Sequence, residues 1–591
     1  MPAHHLFLKI LKQPFPLIWF ALTIVAAFST AWLIRHASAK VYGVLHGSRA
    51  EPQPASRGRL GPVIGLFCLF VVGYIVLIFA GEDFAYYDNS QFTLYSLKGI
   101  NFPFSIWVDS GRFCPLALQE FNVIRHFSTT ITAYHAFSVL QLLIVCAILL
   151  LLDRDLDIRA RIGLAICALL CPGMVISFGG LIYLERDIIF WLLCLIFFVK
   201  RFDRTQSVTA AVAAIVSAQC MLYYKESAFL LLWGFVAGRL LLRCRSADGP
   251  GWDFRRLRES SSCLDFCLGA LGLAFLVYYA ATMFGHTRLR YAQQHRLPEL
   301  DVLSLYVKMN LLTLLLAAVA GARALLIWKR KIIPSPFWEG LAWGGLAYFA
   351  SYLGLAMYSA YYLAPVDLIA VLYLGRLVAL SWNGQRQGRK VVIGLAVCVV
   401  LVQIVSLSSV REFERKNLIR AKAEMAGIIL ARYQHDNGAT LRLFFPFASR
   451  YVTMEFGAYL SYRGIPVEGG FTDKPDVLLI SRAMPADGKL VDYQNIIGHP
   501  GQMPEPLDLV IILPDDNASF ADVEPYLKGG DRLFLYDPCA RFPQWLWACV
   551  KPLHFVSPPF EHQPLPDHWL AASVTAWSGH AESGDRTVNI R

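Results

Sequence analysis

Three groups of charged residues stand beside long apolar runs, where chemistry at a membrane surface would require them. The first group lies in the segment GEDFAYYDNSQF, in which Glu82 and Asp83 directly follow an apolar run. A carboxylate fixed at that depth can accept a proton from a hydroxyl group while an apolar partner stays in the bilayer. Tyr86 and Asp88 follow in the same segment and are candidates for substrate contact. The alternative is that the acidic pair consists of ordinary loop residues at a helix end.

The second and third groups occupy short turns between apolar runs. Glu185, Arg186 and Asp187 lie in FGGLIYLERDIIFW, and Lys225 and Glu226 lie in MLYYKESAFLLLW. Charges between hydrophobic helices are costly unless they are paired or functional. A local ion pair at each turn is one interpretation. The other is that all three groups face one side of the membrane and line one cavity with carboxylates, with Lys225 as a lone phosphate-binding cation.

Two further places carry candidate residues. Arg288, Arg290 and Arg296 lie in GHTRLRYAQQHRLP. Guanidinium forks match phosphate oxygens, although arginines at this depth can equally extend to lipid headgroups. Asp367, in YYLAPVDLIAVLYLG, is an ionisable residue early in an apolar run. It is a functional candidate for that reason, and pairing between helices explains it equally well.

The composition indicates which elements must position these residues. Of the 591 residues, 56% are hydrophobic and 16% are charged, with a mean hydropathy of +0.47. Soluble domains carry roughly 25% charged residues, so the deficit indicates contact with membrane lipids. The net charge of +11 comes from Lys and Arg in short loops, and no basic patch with interleaved aromatic residues is present. Nucleic acid is therefore not an expected partner.

Apolar runs of the length needed to cross a membrane, about 20 residues, recur along the chain. The sequence predicts twelve spans, at 15–34, 61–80, 131–152, 162–181, 186–200, 207–223, 227–243, 263–284, 305–327, 337–358, 363–380 and 391–409. A cleaved signal peptide is the alternative for the first run, but no small-residue cleavage site follows it. We therefore expect it to remain as a membrane helix.

The loops predict the orientation. One set of alternating loops holds 23 Lys and Arg residues, and the other set holds 8. Because cytoplasmic loops carry the excess of positive charge, the first set is predicted to be cytoplasmic. The loops 81–130 and 285–304 and the whole chain beyond residue 410 are then predicted to lie outside the cytoplasm.

The chain beyond residue 410 changes character. It opens with a charged helical stretch from Glu412 to Gln434, and short apolar runs bounded by Pro, Gly and Asp follow it. These runs predict buried strands, and they are LRLFFPF from Leu441, DVLLIS from Asp476, DLVIILP from Asp508 and RLFLYD from Arg532. A small α/β domain is expected, as a structural cap or a docking surface. Cys539 and Cys549 could pair in an oxidising compartment.

These motifs together resemble the GT-C glycosyltransferases. The segment EDFAYYDNSQF is similar to the DE-x-x-Y stretch of the aminoarabinose and protein-mannosyl transferases, and YYKESAFLLL is similar to the KE segment of related members. The resemblance covers roughly residues 61–410. Two features depart from the family pattern. An additional span precedes the usual first one, and the acidic pair reads Glu-Asp, which leaves either Glu82 or Asp83 as the base, with Asp83 preferred.

The resemblance implies a polytopic α-helical membrane protein of about 12 spans with a C-terminal extracytoplasmic α/β domain. The expected parts are 1–60 (an additional span and loop), 61–410 (the transmembrane catalytic domain) and 411–591. The implied reaction transfers a sugar, with inversion, from a polyprenyl-phosphate-linked donor to a glycan, lipid or protein acceptor. The implied location is a bacterial-type inner (plasma) membrane.

The resemblance also implies roles for the candidate residues. Lys225 and the arginines of residues 288–296, which are Arg288, Arg290 and Arg296, would meet the donor phosphate. Glu185 and Asp187 would orient the acceptor or hold a divalent cation such as Mg²⁺ or Mn²⁺, and the sequence requires no such ion. The competing interpretations are a transporter or flippase for a lipid-linked or anionic substrate, and a non-catalytic assembly subunit. A transporter would place charges inside several spans at mid-depth and would often show paired repeats, whereas here the charges gather at span ends.

Overall fold

The computed structural model describes part of the chain in detail. The described residues are 61–80, 83–84, 92, 101–107, 111–245, 252–284, 297–382, 387–435, 441–465, 467, 477–483, 496–497, 508–512 and 532–535. The chain divides into two compact units. The first unit comprises Met1–Ile78, Phe102–His126 and Tyr134–Ser408, and the second comprises Phe79–Asn101, Phe127–Ala133 and Ser409–Arg591.

The first unit is mostly helical, with one short hairpin. In chain order its elements are α1 Gly61–Phe79, β1 Ser105–Trp107, β2 Arg112–Cys114, α2 Gln119–Arg125, α3 Ile131–Leu152, α4 Ile158–Leu169, α5 Pro172–Gly179, α6 Glu185–Thr205, α7 Val208–Tyr224, α8 Ala228–Cys244, a 3₁₀ helix Phe254–Arg258, α9 Ser260–Tyr279 with a π-helical turn Ala280–Phe284, α10 Glu299–Met309, α11 Leu311–Trp328, α12 Pro336–Gly354 and α13 Ala364–Trp382. The helix α14, Gln387–His435, runs from the first unit into the second.

Five helices of the described residues are long and apolar enough to cross a membrane. They are Gly61–Phe79, Ile131–Leu152, Ser262–Met283, Leu311–Trp328 and Ala364–Trp382. The bent pair α4 and α5, with an angle of 67° between them, adds a sixth if the pair forms one span. These helices indicate a membrane-embedded helical protein. The run 15–34 lies outside the described residues, and the count of twelve spans stays a prediction.

Consecutive helices reverse direction, which collects charged residues at two ends of the first unit. The α6 helix ends at Thr205. The next residue, Gln206, has a left-handed φ of 52°, which lets the chain reverse into α7. The start of α6, the end of α7 and the start of α8 therefore lie together, and we call this the site end. The end of α6, the start of α7 and the end of α8 lie at the opposite end.

The α8 and α12 helices approach closely through glycine. Each carries a GxxxG sequence, Gly234–Gly238 in α8 and Gly340–Gly344 in α12. A Cβ atom at Gly344 would lie 2.7 Å from the carbonyl oxygen of Leu231, and one at Gly238 would lie 2.8 Å from the Cα of Gly340. Small residues of this spacing let membrane helices bring their backbones together. The start of α8 is thereby fixed beside the end of α12.

The second unit contains a five-stranded parallel sheet. Its strands are β3 Leu441–Ser449, β4 Val477–Ala483, β5 Ile496–Ile497, β6 Leu509–Ile512 and β7 Arg532–Leu535, in the spatial order β5-β4-β3-β6-β7. The α15 helix, Arg450–Tyr462, follows β3. All four predicted strands are present, and β3 is central, which its run of buried apolar residues explains. The predicted charged helix 412–434 is the last part of α14. Cys539 and Cys549 lie outside the described residues.

Candidate functional site

The structure brings together five of the predicted residues at the site end of the first unit, namely Glu185, Arg186, Asp187, Lys225 and Glu226. Asp83 belongs to the second unit. Asp367 is described further below, and six more candidates lie outside the described residues, namely Glu82, Tyr86, Asp88, Arg288, Arg290 and Arg296. A single cavity lined by all three charged groups therefore stays a prediction.

The 185–187 group lies inside a helix, whereas the prediction placed it in a turn between two helices. Glu185, Arg186 and Asp187 form the first turn of α6, and all three are buried. The two carboxylates are well placed there, because the partial positive charge of a helix N-terminus stabilises negative charge. Three charges in one buried turn still need partners, and most of these come from other parts of the first unit.

Lys225 pairs with Glu185, so the prediction of a lone cation was wrong. Its Nζ donates a hydrogen bond to a carboxylate oxygen of Glu185, 40 residues earlier in the chain. The same Nζ lies 4.4 Å from the ring centroid of Tyr362 and 5.6 Å from that of Tyr352, within the range of a cation–π interaction. Burial opposes the charge on Lys225, but the Glu185 carboxylate more than offsets this and raises the pKa of the lysine.

Tyrosines from α12 and the following turn surround this ion pair. The ring of Tyr352 stacks on that of Tyr362, with centroids 4.8 Å apart and an interplanar angle of 15°. The hydroxyl of Tyr352 lies 3.3 Å from the hydroxyl of Tyr348 and 3.3 Å from the hydroxyl of Ser227. The close packing of α8 on α12 places these rings over the residues that open α8.

Arg186 connects three elements. Its Nη1 donates to the hydroxyl of Ser138 at 2.9 Å, and its Nη2 donates to Glu120 at 3.1 Å and to Asp187 at 3.2 Å. Gln141 Nε2 donates to the second oxygen of Asp187 at 2.8 Å. The predicted alternative of a local ion pair at each turn holds for Arg186 and Asp187, but Ser138, Gln141 and Glu120 of α3 and α2 also contact these two residues.

Glu120 is a site residue that the sequence did not single out. It lies in the short helix α2, and it also accepts a hydrogen bond from the hydroxyl of Tyr224 at 3.3 Å. Burial and, next, the charge of Asp187 raise the pKa of Glu120 to about 8. The only sequence signal was an acidic residue in the mixed segment ALQEFNVI, which is too common a pattern to distinguish from an ordinary loop.

Glu226 forms the more exposed part of the cluster. Arg112 Nε lies 3.2 Å from its carboxylate, and Cys114 Sγ donates to it at 2.9 Å. Both partners belong to β2, so the β1–β2 hairpin positions them. Burial and, next, the nearby Glu226 raise the pKa of the Cys114 thiol to about 12, which keeps the thiol protonated and able to donate.

Among the residues that the structure describes, the ion pairs of the site end join four carboxylates and three cations. The carboxylates are Glu120, Glu185, Asp187 and Glu226, and the cations are Arg112, Arg186 and Lys225. Glu120 and Asp187 share Arg186 as their cation. A ligand that takes the place of one member of these pairs must itself compensate the charge that remains, because an unpaired buried charge is strongly destabilising.

Asp367 lies apart from this ion network. It is buried in the first turn of α13, and Thr313 of α11 donates a hydrogen bond to it at 3.4 Å. Of the two predicted explanations for this residue, the contact fits pairing between helices.

A second charge network lies at the opposite end and was not predicted. Arg239 of α8 is fully buried, and it donates to Asp265 at 2.6 Å and to Asp203 at 2.8 Å and 2.9 Å. Lys200 lies three residues before Asp203 in the chain and donates a hydrogen bond to Asp153. Asp153 also accepts a hydrogen bond from Arg376 at 2.8 Å. These contacts join helix ends that are distant in sequence.

Within the described part of the chain, no group of three or more His, Cys, Asp or Glu residues is arranged to hold a metal ion. Glu185 and Asp187, for which holding a divalent cation was one of two expected roles, each contact a cationic side chain.

Comparison of the chain with models of known families, with curated proteins and with solved structures found no match.

Proposed function

We propose that this protein is a membrane glycosyltransferase. It transfers a sugar from a polyprenyl-phosphate-linked donor to a glycan, lipid or protein acceptor at the outer face of the membrane, with inversion. The observation that carries the proposal is the site-end cluster, in which the Lys225–Glu185 pair lies against Tyr352 and Tyr362 beside the Arg186 network. Cations, carboxylates and tyrosine rings are combined there at one end of an apolar helix assembly.

Each kind of group suits one part of a lipid-linked sugar. A phosphate is attracted by Lys225 and can compete with Glu185 for it, because both ligands are anionic oxygens. Sugar hydroxyls are donors that match carboxylates such as Glu185 and Asp187. Tyrosine supplies an apolar ring face together with a polar hydroxyl. The ring face can pack on the C–H face of a sugar, and the tyrosine hydroxyl can hydrogen-bond to a sugar hydroxyl. The lipid tail remains in the bilayer beside the helices.

In the proposed reaction an acceptor hydroxyl attacks the anomeric carbon of the donor. Its oxygen forms the new bond while the bond from that carbon to the phosphate oxygen breaks, and the electron pair leaves with the lipid phosphate. The hydroxyl proton passes to the carboxylate of Asp83, or of Glu82 in the alternative. Because Glu185 and Asp187 are already paired with cations, we assign them to orienting the acceptor and not to holding Mg²⁺ or Mn²⁺.

The proposal includes a location and a topology. The protein would lie in a bacterial-type inner membrane with about 12 spans, and its C-terminal sheet domain would be extracytoplasmic. The excess of Lys and Arg in one set of loops supports this orientation.

Transport of a lipid-linked or anionic substrate is the second candidate. It is favoured by one observation, which is that α6 and α8 carry buried ion networks near both ends. Alternating access needs two gates that open in turn, and ion pairs are contacts that can break and reform. Transport and transfer differ in product, since only transfer releases free lipid phosphate.

Glycosyl transfer by the purified full-length protein tests the proposal. The assay follows release of polyprenyl phosphate from a lipid-phosphate sugar for wild type, Asp83→Asn and Glu82→Gln, with donor binding measured alongside. Removal of the true base is expected to lower turnover by about 10²–10⁴-fold and to leave donor binding largely intact. Asp83→Asn is expected to be the more damaging change.

Asp155→Asn is the matched control, because Asp155 is an exposed carboxylate at the opposite end of the first unit. Near-normal turnover in both test variants would show that neither residue is the base. Failure of Glu82→Gln alone would keep the function and change the assignment of the base. Movement of intact donor across a vesicle membrane without release of lipid phosphate would support transport instead.

A further inference from the structure

The carboxylate of Asp83 is held within the second unit by two residues at the end of α15. The hydroxyl of Tyr459 donates a hydrogen bond to Asp83 Oδ2 at 3.2 Å, and Arg463 Nη1 lies 3.6 Å from the same oxygen. Arg463 Nη1 also donates to the hydroxyl of Tyr459 at 3.5 Å. The donor and the cation thus converge on one carboxylate oxygen, 376 residues away in sequence from Tyr459.

The next residue of the same segment is anchored on the same helix. Phe84 is fully buried, and its ring meets the ring of Tyr462 edge to face with centroids 5.0 Å apart. On its other side Phe84 lies against Phe92, with centroids 6.3 Å apart. Polar contacts at Asp83 and aromatic contacts at Phe84 therefore fix two consecutive residues to α15.

The α15 helix is itself held firmly on the sheet. It follows the central strand β3, and Phe456 packs edge to face on Phe445 of that strand with centroids 5.9 Å apart. Gly457 faces β4, where an added Cβ would lie 2.5 Å from a side-chain carbon of Leu479. Tyr459 and Leu460 are both fully buried. The side chains that contact Asp83 therefore project from a rigid support.

We propose that the sheet-bearing unit is a working part of the enzyme, in which Tyr459 and Arg463 are positioning residues that hold the Asp83 carboxylate ionised and oriented for proton abstraction. This rests on the proposed function. A hydrogen-bond donor and a nearby cation both favour the charged form of a carboxylate. Burial and the neighbouring Asp83 raise the pKa of Tyr459, so its hydroxyl keeps its proton and remains a donor.

The proposal predicts different effects for the same substitution at Tyr459 and at Tyr462, which lie on the same helix. Tyr459→Phe removes the donor to Asp83, whereas Tyr462→Phe makes the same chemical change and keeps the ring that packs on Phe84. The lost hydrogen bond is made to a charged group, which is the stronger kind, so Tyr459→Phe is expected to lower kcat by roughly 10- to 100-fold. Tyr462→Phe is expected to have turnover near that of wild type.

The pH dependence of the rate separates positioning from a merely structural role. Without Tyr459 or Arg463 the charged form of Asp83 is less stabilised, so its pKa rises. The acidic limb of the kcat/KM profile should therefore move to higher pH in Tyr459→Phe and in Arg463→Gln, with little change in donor KM. A variant that only lowers the amount of folded protein would leave the midpoint of that limb in place, and this result would overturn the proposal.

A second measurement does not depend on activity. Thermal unfolding of wild type, Asp83→Asn, Tyr459→Phe and the double variant forms a double-mutant cycle, which measures the coupling between the two side chains. We expect non-additive effects, because each single change leaves one partner without the other. Additive effects would refute the inference whether or not transfer is observed. A well-folded wild-type protein that transfers no sugar would instead refute the proposed function, and coupling in the same protein would show that the contact stands.

Discussion

Lys225 and Glu185 form a buried ion pair between the turn that precedes α8 and the first turn of α6. The lysine Nζ also faces the rings of Tyr352 and Tyr362. The pair therefore joins three parts of the first unit that are separated in sequence. Neither charge could remain buried without the other, because the cost of removing an isolated ion from water is several kcal/mol.

The first prediction follows from this pairing. Lys225→Met leaves the Glu185 carboxylate buried without its cation, and breaking a buried pair in this way costs about 3–5 kcal/mol. Thermal unfolding of the detergent-solubilised protein should show a clearly lower transition temperature. Glu185→Gln combined with Lys225→Met should recover part of the loss, since the second change removes the unpaired charge. Strictly additive losses would mean that the two side chains do not interact.

The second prediction concerns the contact of α8 with α12. Gly344→Ala places a Cβ 2.7 Å from the carbonyl oxygen of Leu231, so the helices must separate, and we expect a loss of about 1–3 kcal/mol. The matched control is Gly321→Ala in α11, where an added Cβ has nothing within 4 Å. There the better helix propensity of alanine should be neutral or stabilising by up to about 1 kcal/mol. Equal effects on thermal stability would contradict the close approach.

The third prediction is a pH dependence of stability from Glu120. Its pKa is raised from 4.5 to about 8 in the folded protein, in surroundings that include Arg186, Asp187 and Tyr224. Between these two values the folded state binds a proton that the unfolded state has lost, so stability falls as the pH rises through this window. Glu120→Gln cannot ionise. Its transition temperature, measured from pH 5 to 9, should decline less than that of wild type, and parallel curves would contradict the shift.

The fourth prediction compares two arginines of the opposite end. Arg239→Met removes the buried guanidinium from which Asp203 and Asp265 accept hydrogen bonds. Arg243 remains paired with both carboxylates, so a loss of about 3 kcal/mol is expected, the lower end of the range for breaking a buried pair. Arg204→Met breaks a pair with Asp155 in which the side chains are 40% and 54% exposed. Exposed pairs contribute at most about 1 kcal/mol. Unfolding curves that rank the two variants in the reverse order would rule out a stabilising role for the buried network.

The fifth prediction concerns topology. A reporter that is active only outside the cytoplasm, attached after Arg591, should be active, because one set of loops holds 23 basic residues and the other holds 8. A cytoplasmic reporter at the same site should be silent. The reverse pattern would place the sheet domain in the cytoplasm and remove the outer-face reaction.

Several elements follow from the one-dimensional pattern alone. Runs of apolar residues long enough to satisfy their own backbone hydrogen bonds in lipid must be helices, and α3 coincides with its predicted run 131–152. The four short apolar runs beyond residue 440 form strands for a similar reason, since β-branched and aromatic residues between turn signals suit a buried parallel sheet. The Glu185–Asp187 and Lys225–Glu226 groups were recognisable because charges beside apolar runs are costly.

The partners of these charges were decided by the tertiary structure. Which helix faces which depends on packing, such as the contact of the two GxxxG sequences in α8 and α12, and sequence spacing does not specify it. Three contacts join residues far apart in the chain, namely those of Lys225 with Glu185, of Arg186 with Glu120 in α2 and of Tyr459 with Asp83. The sequence determined where buried charge would be costly, and only the fold determined how that charge is compensated, because compensation requires contact in three dimensions.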